Sequence, residues 1–211
     1  MSKKNFDPGA MLNPVPVVMV SCGDADGEKN IITIAWTGIV NSIPPMTYVS
    51  VRKERYSHHM IEESGEFVIN LVTEELAFSA DWCGVRSGKD FDKFKEQELT
   101  PEKCREVSCP AIAESPLSLE CRVTEVHEYG SHDMFVAEIV NVTADEKLID
   151  GSGRIRLDKA GLVAYSHGEY FGLKRSPLGR FGYSVMKSST KKKLAGKRRQ
   201  AQRNSKKKQS R

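Results

Sequence analysis

The sequence has no apolar run long enough to cross a membrane. A spanning helix needs roughly 18 or more apolar residues, and the longest run near the N-terminus, residues 15–22, is interrupted by Pro16. That run also lacks the charged start and the small-residue cleavage site of a secretory signal. With 211 residues, 39% of them hydrophobic, the chain can bury one substantial core. We therefore predict a cytoplasmic protein with one folded domain.

Cysteines are few, and their spacing does not suggest pairs. They are odd in number, scattered and free of any C-x-x-C pair, which argues against a disulfide framework and a four-thiolate zinc site. Cys104 and Cys109 are close enough for a metal clip, but no second pair supports one. We expect buried or free thiols at all five positions, which are Cys22, Cys83, Cys104, Cys109 and Cys121.

Motifs of several common enzyme classes are also missing. No G-x-G-x-x-G follows a predicted strand, which argues against a Rossmann unit, and there is no Walker loop, no H-E-x-x-H and no G-x-S-x-G. His58 and His59 are adjacent and point to opposite sides of most backbones, which disfavours two ligands on one metal. We predict no metal site.

Charge is unevenly distributed along the chain. Residues 185–211 contain 12 of the 32 Lys and Arg side chains and no Asp or Glu, so residues 1–184 hold 20 basic against 28 acidic side chains, a net charge of −8. A segment so poor in apolar residues cannot offset the entropy of ordering, and we predict a folded domain at 1–184 followed by a disordered tail at 185–211. Basic runs at 191–193, 197–199 and 206–208 would let the tail contact an anionic partner; the alternative is a solubilising appendage.

Strand signals dominate the rest of the chain. Short runs rich in Val, Ile, Thr and aromatic residues alternate with turn residues. The predicted strands are 15–21, 31–37, 46–52, 67–72, 118–128, 134–143 and 162–166. The predicted helices are 58–64, with Ser57 as N-cap and Gly65 as terminator, 74–83 and 90–97. Short strands with few helices predict a mainly β barrel or sandwich.

One region combines the features of a site for a planar ring and a phosphate. Residues 30–38 have the pattern of a strand, and residues 52–59 follow a second strand with cations, a hydroxyl and a helix start. A helix N-terminus reinforced by Arg, Lys and a hydroxyl suits a phosphate. The residues that meet this requirement are Arg52, Lys53, Arg55 and Ser57. The alternative is a strand end with loose, solvated charges.

Five motifs in order give the chain a family resemblance. They are N-x-x-T-x-A-W from Asn30, V-R-K-E-R-Y-S-H from Val51, E-F-V-I-N-L from Glu66, S-G-K-D-x-D-K-F from Ser87 and G-S-H-D-M-F-V-A-E-I from Gly130. Over residues 14–172 the chain resembles the flavin reductase-like family of FMN-binding split barrels, particularly its flavoredoxin-like members. The resemblance implies a Greek-key β-barrel of about six strands with peripheral α-helices, working as a homodimer with one FMN near each subunit interface.

The resemblance also implies which residues hold the cofactor. They are Asn30, Thr33 and Trp36 at the flavin ring and ribityl chain, Arg52, Ser57 and His58 at the phosphate, and Lys93 as a further cation. Reduction of a flavin places negative charge at the N1 and O2 side of the ring, where hydrogen-bond donors are useful. We expect such donors from the end of the first strand, at Thr37, Asn41 and Ser42.

Three residues later in the chain complete the predicted site. The resemblance puts His132 where nicotinamide stacks on the flavin, as a substrate-side residue; the alternative is a hairpin residue bonded to the backbone. A histidine suits the substrate side because its protonation is tunable near neutral pH. His167 and Tyr170 would lie around the flavin, or else form a lid or a dimer contact.

We predict an FMN-dependent oxidoreductase. NAD(P)H would deliver hydride to bound FMN, and the electrons would pass to free flavin, a partner protein or another acceptor. The alternative is a flavoredoxin-like electron carrier that holds FMN but does not use NAD(P)H directly. A third possibility is a binding or anchoring module that acts through the basic tail.

Overall fold

The computed structural model describes residues 2–174, 176–179, 181–187 and 190. The chain divides into two compact units, residues 1–175 and residues 176–211. The second unit contains a 3-10 turn at Tyr183–Val185. The basic runs of the predicted tail, at 191–193, 197–199 and 206–208, lie outside the described residues.

The described residues form twelve strands. In chain order they are β1 (Val15–Pro16), β2 (Val18–Gly23), β3 (Lys29–Ile34), β4 (Thr37–Ser42), β5 (Pro45–Val51), β6 (Glu66–Leu71), β7 (Pro101–Glu102), β8 (Ala111–Ile112), β9 (Leu117–Glu128), β10 (Asp133–Ala144), β11 (Val163–Ser166) and β12 (Glu169–Gly172). Each predicted strand overlaps at least one of these. The single strand predicted at 15–21 is wrong, because β1 and β2 are separated at Val17 and lie in different sheets. The strand predicted at 31–37 is wrong at its end, because β3 stops at Ile34 and a separate strand begins at Thr37.

Seven strands form one antiparallel sheet in the order β3-β2-β6-β9-β10-β5-β4. Its two edge strands, β3 and β4, are consecutive in the chain and are joined by Ala35 and Trp36. The Ser50 N–H donates to the Trp36 carbonyl (3.0 Å), so the end of β3 meets β5 and the sheet curls on itself. This architecture confirms the predicted mainly β split barrel, with seven strands in the main sheet where about six were expected.

Short helices flank the barrel: α1 (Tyr56–Ser64), α2 (Ala77–Val85) and α3 (Lys93–Glu96). Gly65 ends α1 as predicted, since it takes a φ of 67° and its N–H donates to the Ile61 carbonyl. The prediction of Ser57 as N-cap was wrong, because Arg55 occupies that position and no side chain caps the helix. Ser57 instead lies in the first turn of α1. No helix among the described residues is both long enough and apolar enough to cross a membrane.

Side chains of the central strands alternate between two apolar cores. On β2, Val18 and Val20 point into a core shared with Phe67 and Phe135, whereas Met19 points into the second core. The second core joins the sheet to α2 and α3 through Val72, Leu76, Ala80, Cys83 and Phe94. Full burial of such side chains contributes about 1.5–3 kcal/mol each, so the two cores fix both the barrel and the position of α2 and α3 beside β3.

A smaller sheet has the order β1-β11-β12. Its hairpin turns at His167 and Gly168, which have φ values of 51° and 86°. Two successive positive φ angles are typical of a type I′ turn, which matches the twist of the flanking strands. Strand β12 was not predicted. The turn brings Tyr165, His167 and Tyr170 to one end of this hairpin.

Candidate functional site

Two adjoining cavities lie beside β3, α1 and α2. The larger has a volume of about 540 Å³ and the smaller about 180 Å³. They share Ile32, Arg55 and Gly84 as lining residues, so they form one continuous groove. The larger cavity is lined by the predicted residues Thr33, Trp36, Arg52, His132, His167 and Tyr170. The smaller is lined by the predicted residues Asn30, Ser57 and Lys93.

Lys93 is a buried cation at the smaller cavity. It is the first residue of α3 and only 3% exposed, and its ammonium donates to the carbonyls of Ile31 and Cys83, both at 2.7 Å. Among the described residues it forms no ion pair with a carboxylate. Burial lowers the pKa of Lys93 to about 8. An ammonium has three N–H donors, so one remains for a ligand in the cavity.

Asn30 and Ser57 form a buried polar pair in the same cavity. The Asn30 Nδ2 donates to the Ser57 Oγ (2.8 Å), which ties β3 to the first turn of α1. The Asn30 Oδ1 is buried and has no hydrogen-bond partner among the described residues. A Cβ at position 88 would overlap the Asn30 side chain, so only glycine lets this loop approach so closely. A buried polar atom without a partner is costly unless a ligand or water satisfies it.

Two arginines also line the smaller cavity: Arg55, which the sequence put forward as a phosphate ligand, and Arg86, which it did not. Arg55 is the N-cap residue of α1, and Arg86 follows α2 with its guanidinium 5.5 Å from the Phe91 ring centre. Neither forms an ion pair within the described part of the chain. With Lys93 they give the lining three cationic side chains against one carboxylate, that of Glu54, so the cavity carries a net positive charge. The charged run at 52–55 indicated a role for Arg55 in binding an anion. No motif around Arg86 in the sequence indicates that it lines a cavity.

Aromatic and cationic groups form one wall of the larger cavity. The rings of Trp36 and His132 have centres 4.5 Å apart and are tilted by 40°. The Ser131 hydroxyl lies 2.8 Å from the His132 Nδ1. Partial burial, with a contribution from the Arg52 charge, lowers the pKa of His132. His132 is therefore neutral at pH 7 and presents a hydrogen-bonding imidazole without a charge.

The β11–β12 hairpin supplies another part of the wall. The Tyr170 hydroxyl donates to Asp81 Oδ1 (3.1 Å), and its ring packs edge-on against Tyr165 at 5.4 Å. Burial and this carboxylate raise the pKa of Tyr170 to about 12. His167 lines the cavity although its φ of 51° is unfavourable for a residue other than glycine. Strained residues of this kind cluster at binding sites.

Four predicted residues do not line either cavity. His58 is buried, and its Nε2 lies 2.8 Å from Asp133 Oδ2. The hydroxyl of Thr37 donates to the Tyr48 carbonyl, and the Asn41 Nδ2 donates to the Ile43 carbonyl. Ser42 is exposed at the end of β4. The groove also separates Arg52, in the larger cavity, from Ser57, in the smaller, although the two were expected at one phosphate.

Comparisons with known proteins give one consistent result. The family profile described as "Flavin reductase like domain" matches residues 11–174. Flavoredoxin of Desulfovibrio vulgaris (Miyazaki F) has a TM-score of 0.80 and 30% identity, covering 87% of this chain and 100% of that one. Flavoredoxin from Methanosarcina acetivorans has a TM-score of 0.78 and 28% identity, covering 88% and 100%. A protein of Archaeoglobus fulgidus is 35% identical over 124 residues, 59% of this chain and 70% of that protein.

The family match spans the cavities as well as the barrel. Every residue that lines the larger cavity except Ala10, and every residue that lines the smaller one, falls within the matched range of 11–174. The predicted resemblance is thus confirmed, and this chain belongs to the flavin reductase-like family.

Proposed function

We propose that the protein binds FMN and acts as an oxidoreductase. The observation that supports this most directly is the pairing of two unlike cavities: a small cationic one with a buried ammonium, and a larger one with aromatic walls that adjoins it. FMN has the same division, with a dianionic phosphate at one end and a planar ring at the other. When bound, FMN supplies reversible acceptance of hydride or of single electrons.

The phosphate is assigned to the smaller cavity. Lys93 has an N–H to spare and no carboxylate partner within the described residues, so an anion would compensate its buried charge. Arg55 and Arg86 add positive charge, and Ser57 adds a hydroxyl. Asn30, whose Oδ1 has no partner in the part of the chain that the structure describes, would accept a hydrogen bond from the hydroxyl-bearing ribityl chain.

The ring is assigned to the larger cavity, where Trp36 and Tyr165 provide aromatic surface. His132, neutral at pH 7, lies against Trp36 and hydrogen-bonds the substrate. It stabilises a carboxamide such as that of nicotinamide without introducing a charge next to the ring. The proposed reaction is transfer of hydride from NAD(P)H to the bound cofactor, followed by transfer of electrons to free flavin or another acceptor.

The phosphate assignment is tested by comparing FMN with riboflavin, which lacks the phosphate. Charge-assisted hydrogen bonds contribute about 1.5–3 kcal/mol, so the wild-type protein should bind FMN about 10- to 100-fold more tightly than riboflavin. Lys93→Met should remove most of that preference, whereas Lys95→Met, on the exposed face of α3, should keep it. Affinities are measured by quenching of flavin fluorescence. Equal affinity of the wild type for the two flavins, or no binding of either, would contradict the proposal.

The second candidate function is a flavoredoxin-like electron carrier. The observation that favours it is the 30% identity to a flavoredoxin over that protein's full length. The two functions share the same FMN site and differ in the donor that reduces it. Under anaerobic conditions, NADH or NADPH reduces the bound flavin of a reductase, whereas only a reduced protein donor reduces that of a carrier.

A further inference from the structure

Arg52 stands at the junction of two strands beside the larger cavity. It directly follows β5, and the last residue of β5, Val51, pairs with Asp133 of β10. Arg52 therefore lies next to His132 across the sheet, and its charge contributes to the lowered pKa of His132. Both residues line the larger cavity together with Trp36.

Within the described residues, Arg52 has one acidic partner, and the contact is long. Its Nη1 lies 3.4 Å from Glu54 Oε1, and the side chains of Arg52 and Glu54 are 50% and 66% exposed. Exposed pairs of this kind contribute about 0–1 kcal/mol. The adjacent Lys53 points elsewhere, since its Nζ lies 2.6 Å from Glu128 and 3.4 Å from Asp133. Arg52 is therefore free to exchange Glu54 for a ligand anion.

The larger cavity carries more positive charge than its lining can neutralise. Its lining includes Arg52 and Arg55 but a single carboxylate, that of Asp81. That carboxylate already accepts a hydrogen bond from Tyr170. The phosphate of FMN is assigned to the other cavity, where Lys93 and Arg86 lie. A second ligand entering the larger cavity thus meets an aromatic wall and, next to it, a guanidinium that is paired only with the exposed side chain of Glu54 among the described residues.

We propose that Arg52 binds the diphosphate of a dinucleotide substrate and that Glu54 competes with that diphosphate for Arg52. This inference rests on the proposed function, since it names a contact for its hydride donor. A guanidinium offers paired N–H donors that match phosphate oxygens. The chemistry required of the ligand is a flat ring joined to a polyanion, which NADH and NADPH share.

The experiment is a calorimetric titration of the FMN-loaded protein with ADP-ribose, which has the diphosphate but no nicotinamide and transfers no hydride. Arg52→Gln should raise the dissociation constant about tenfold, and Glu54→Gln should lower it about twofold. The double variant should behave as Arg52→Gln alone, because the ion pair of Glu54 among the described residues is with Arg52. Lys103→Gln, which removes the same charge from an exposed residue that lines neither cavity, should leave the constant unchanged.

The dependence of ADP-ribose binding on salt concentration is a second test of the contact between Arg52 and the diphosphate. The effect of Arg52→Gln should shrink as NaCl rises from about 50 mM to about 500 mM, because exposed charges are screened. An unchanged constant in Arg52→Gln, an equal change in Lys103→Gln, or an increase of the constant in Glu54→Gln would overturn the proposal. Failure of the wild type to bind ADP-ribose would also overturn it.

FMN content separates this inference from the proposed function. The visible absorbance of bound flavin is recorded for every variant before the titration. Loss of FMN from Arg52→Gln alone would place Arg52 at the FMN phosphate and overturn the diphosphate assignment. A wild-type protein that does not bind FMN would instead contradict the proposed function, and ADP-ribose titration of that FMN-free protein would still decide whether Arg52 contacts a diphosphate.

Discussion

Lys93 shows how a single buried residue can define one end of a binding site. A buried ammonium without a carboxylate partner is unfavourable, and two backbone carbonyls offset only part of that cost. The remaining imbalance favours a bound anion. Within the described residues, no other lysine is as buried as Lys93.

The lowered pKa of Lys93 predicts how FMN binding depends on pH. Below pH 8 the ammonium is charged and attracts the phosphate, and above pH 8 it loses its proton in the free protein. The dissociation constant of FMN should therefore rise roughly twofold between pH 7 and pH 8 and about tenfold by pH 9. Fluorescence quenching at constant ionic strength measures this.

The titratable groups around Lys93 do not change their charge between pH 7 and pH 9. Burial raises the pKa of Cys22 and of Cys83 to about 11, so both thiols stay neutral, and the Arg55 charge adds a smaller contribution to the lowered pKa of Lys93. Lys93→Met should give the same affinity at pH 7 and pH 9. A wild-type affinity that does not change across this range would show that the Lys93 charge does not contact the phosphate.

Sequence motifs identified most site residues but not the direction in which they point. Asn30, Thr33 and Lys93 were assigned from motifs, and all three line the groove. Arg52 and Ser57 were placed at one phosphate because both belong to the cation-rich start of the predicted helix and to one motif of the family resemblance. The turn in which the Arg55 N–H bonds the Arg52 carbonyl sends them to different cavities. A change of direction within one turn depends on the backbone path, which residue types alone do not determine.

At the scale of elements, runs of apolar residues predicted the buried strands β2 and β6, whereas the mostly exposed strand β4 was missed. β2 and β6 are packed on both faces and appear in the sequence as apolar runs. β4 contains Gly38 and Asn41 and is mostly exposed, so the pattern of residues 37–42 gave no separate strand signal. The prediction of Ser57 as N-cap was wrong because a serine near a helix start was assumed to cap that helix. The Ser57 hydroxyl instead accepts a hydrogen bond from Asn30 of β3.

The exposed face of β4 leads to a prediction about assembly. Ile39 and Val40 are 71% and 52% exposed on an edge strand that pairs with β5 alone. Exposed apolar edges favour association, and we propose that β4 contacts a second copy of the chain in a homodimer. Sedimentation equilibrium should give twice the 23.6 kDa chain mass, and Ile39→Lys should shift it towards the monomer. Ile149→Lys, at another exposed isoleucine, serves as control.

A monomeric mass for the wild type at micromolar concentration would contradict the dimer. Loss of the dimer in Ile149→Lys as well would show that added charge, and not the face of β4, is responsible. Thermal unfolding of both variants checks that each remains folded, since neither substitution changes a buried position.

At the scale of the whole molecule, sheet order brings distant residues together. Trp36, Arg52 and His132 meet because β3 and β4 are the two edges of a curled sheet and because β10 pairs with β5. Residue patterns can predict strands, but they do not give the order of seven strands, since many orders bury the same apolar faces. The family resemblance predicted a Greek-key barrel of about six strands but no strand order.

The most direct test of the account is an anaerobic titration of the FMN-loaded protein with NADH and, separately, NADPH. The account predicts that one equivalent of at least one of these donors removes the absorbance of oxidised flavin, and that air or added free flavin restores it. Dithionite serves as the positive control for reducible flavin. If dithionite bleaches the bound flavin while both nicotinamides leave its spectrum unchanged, the protein is not an NAD(P)H-dependent reductase.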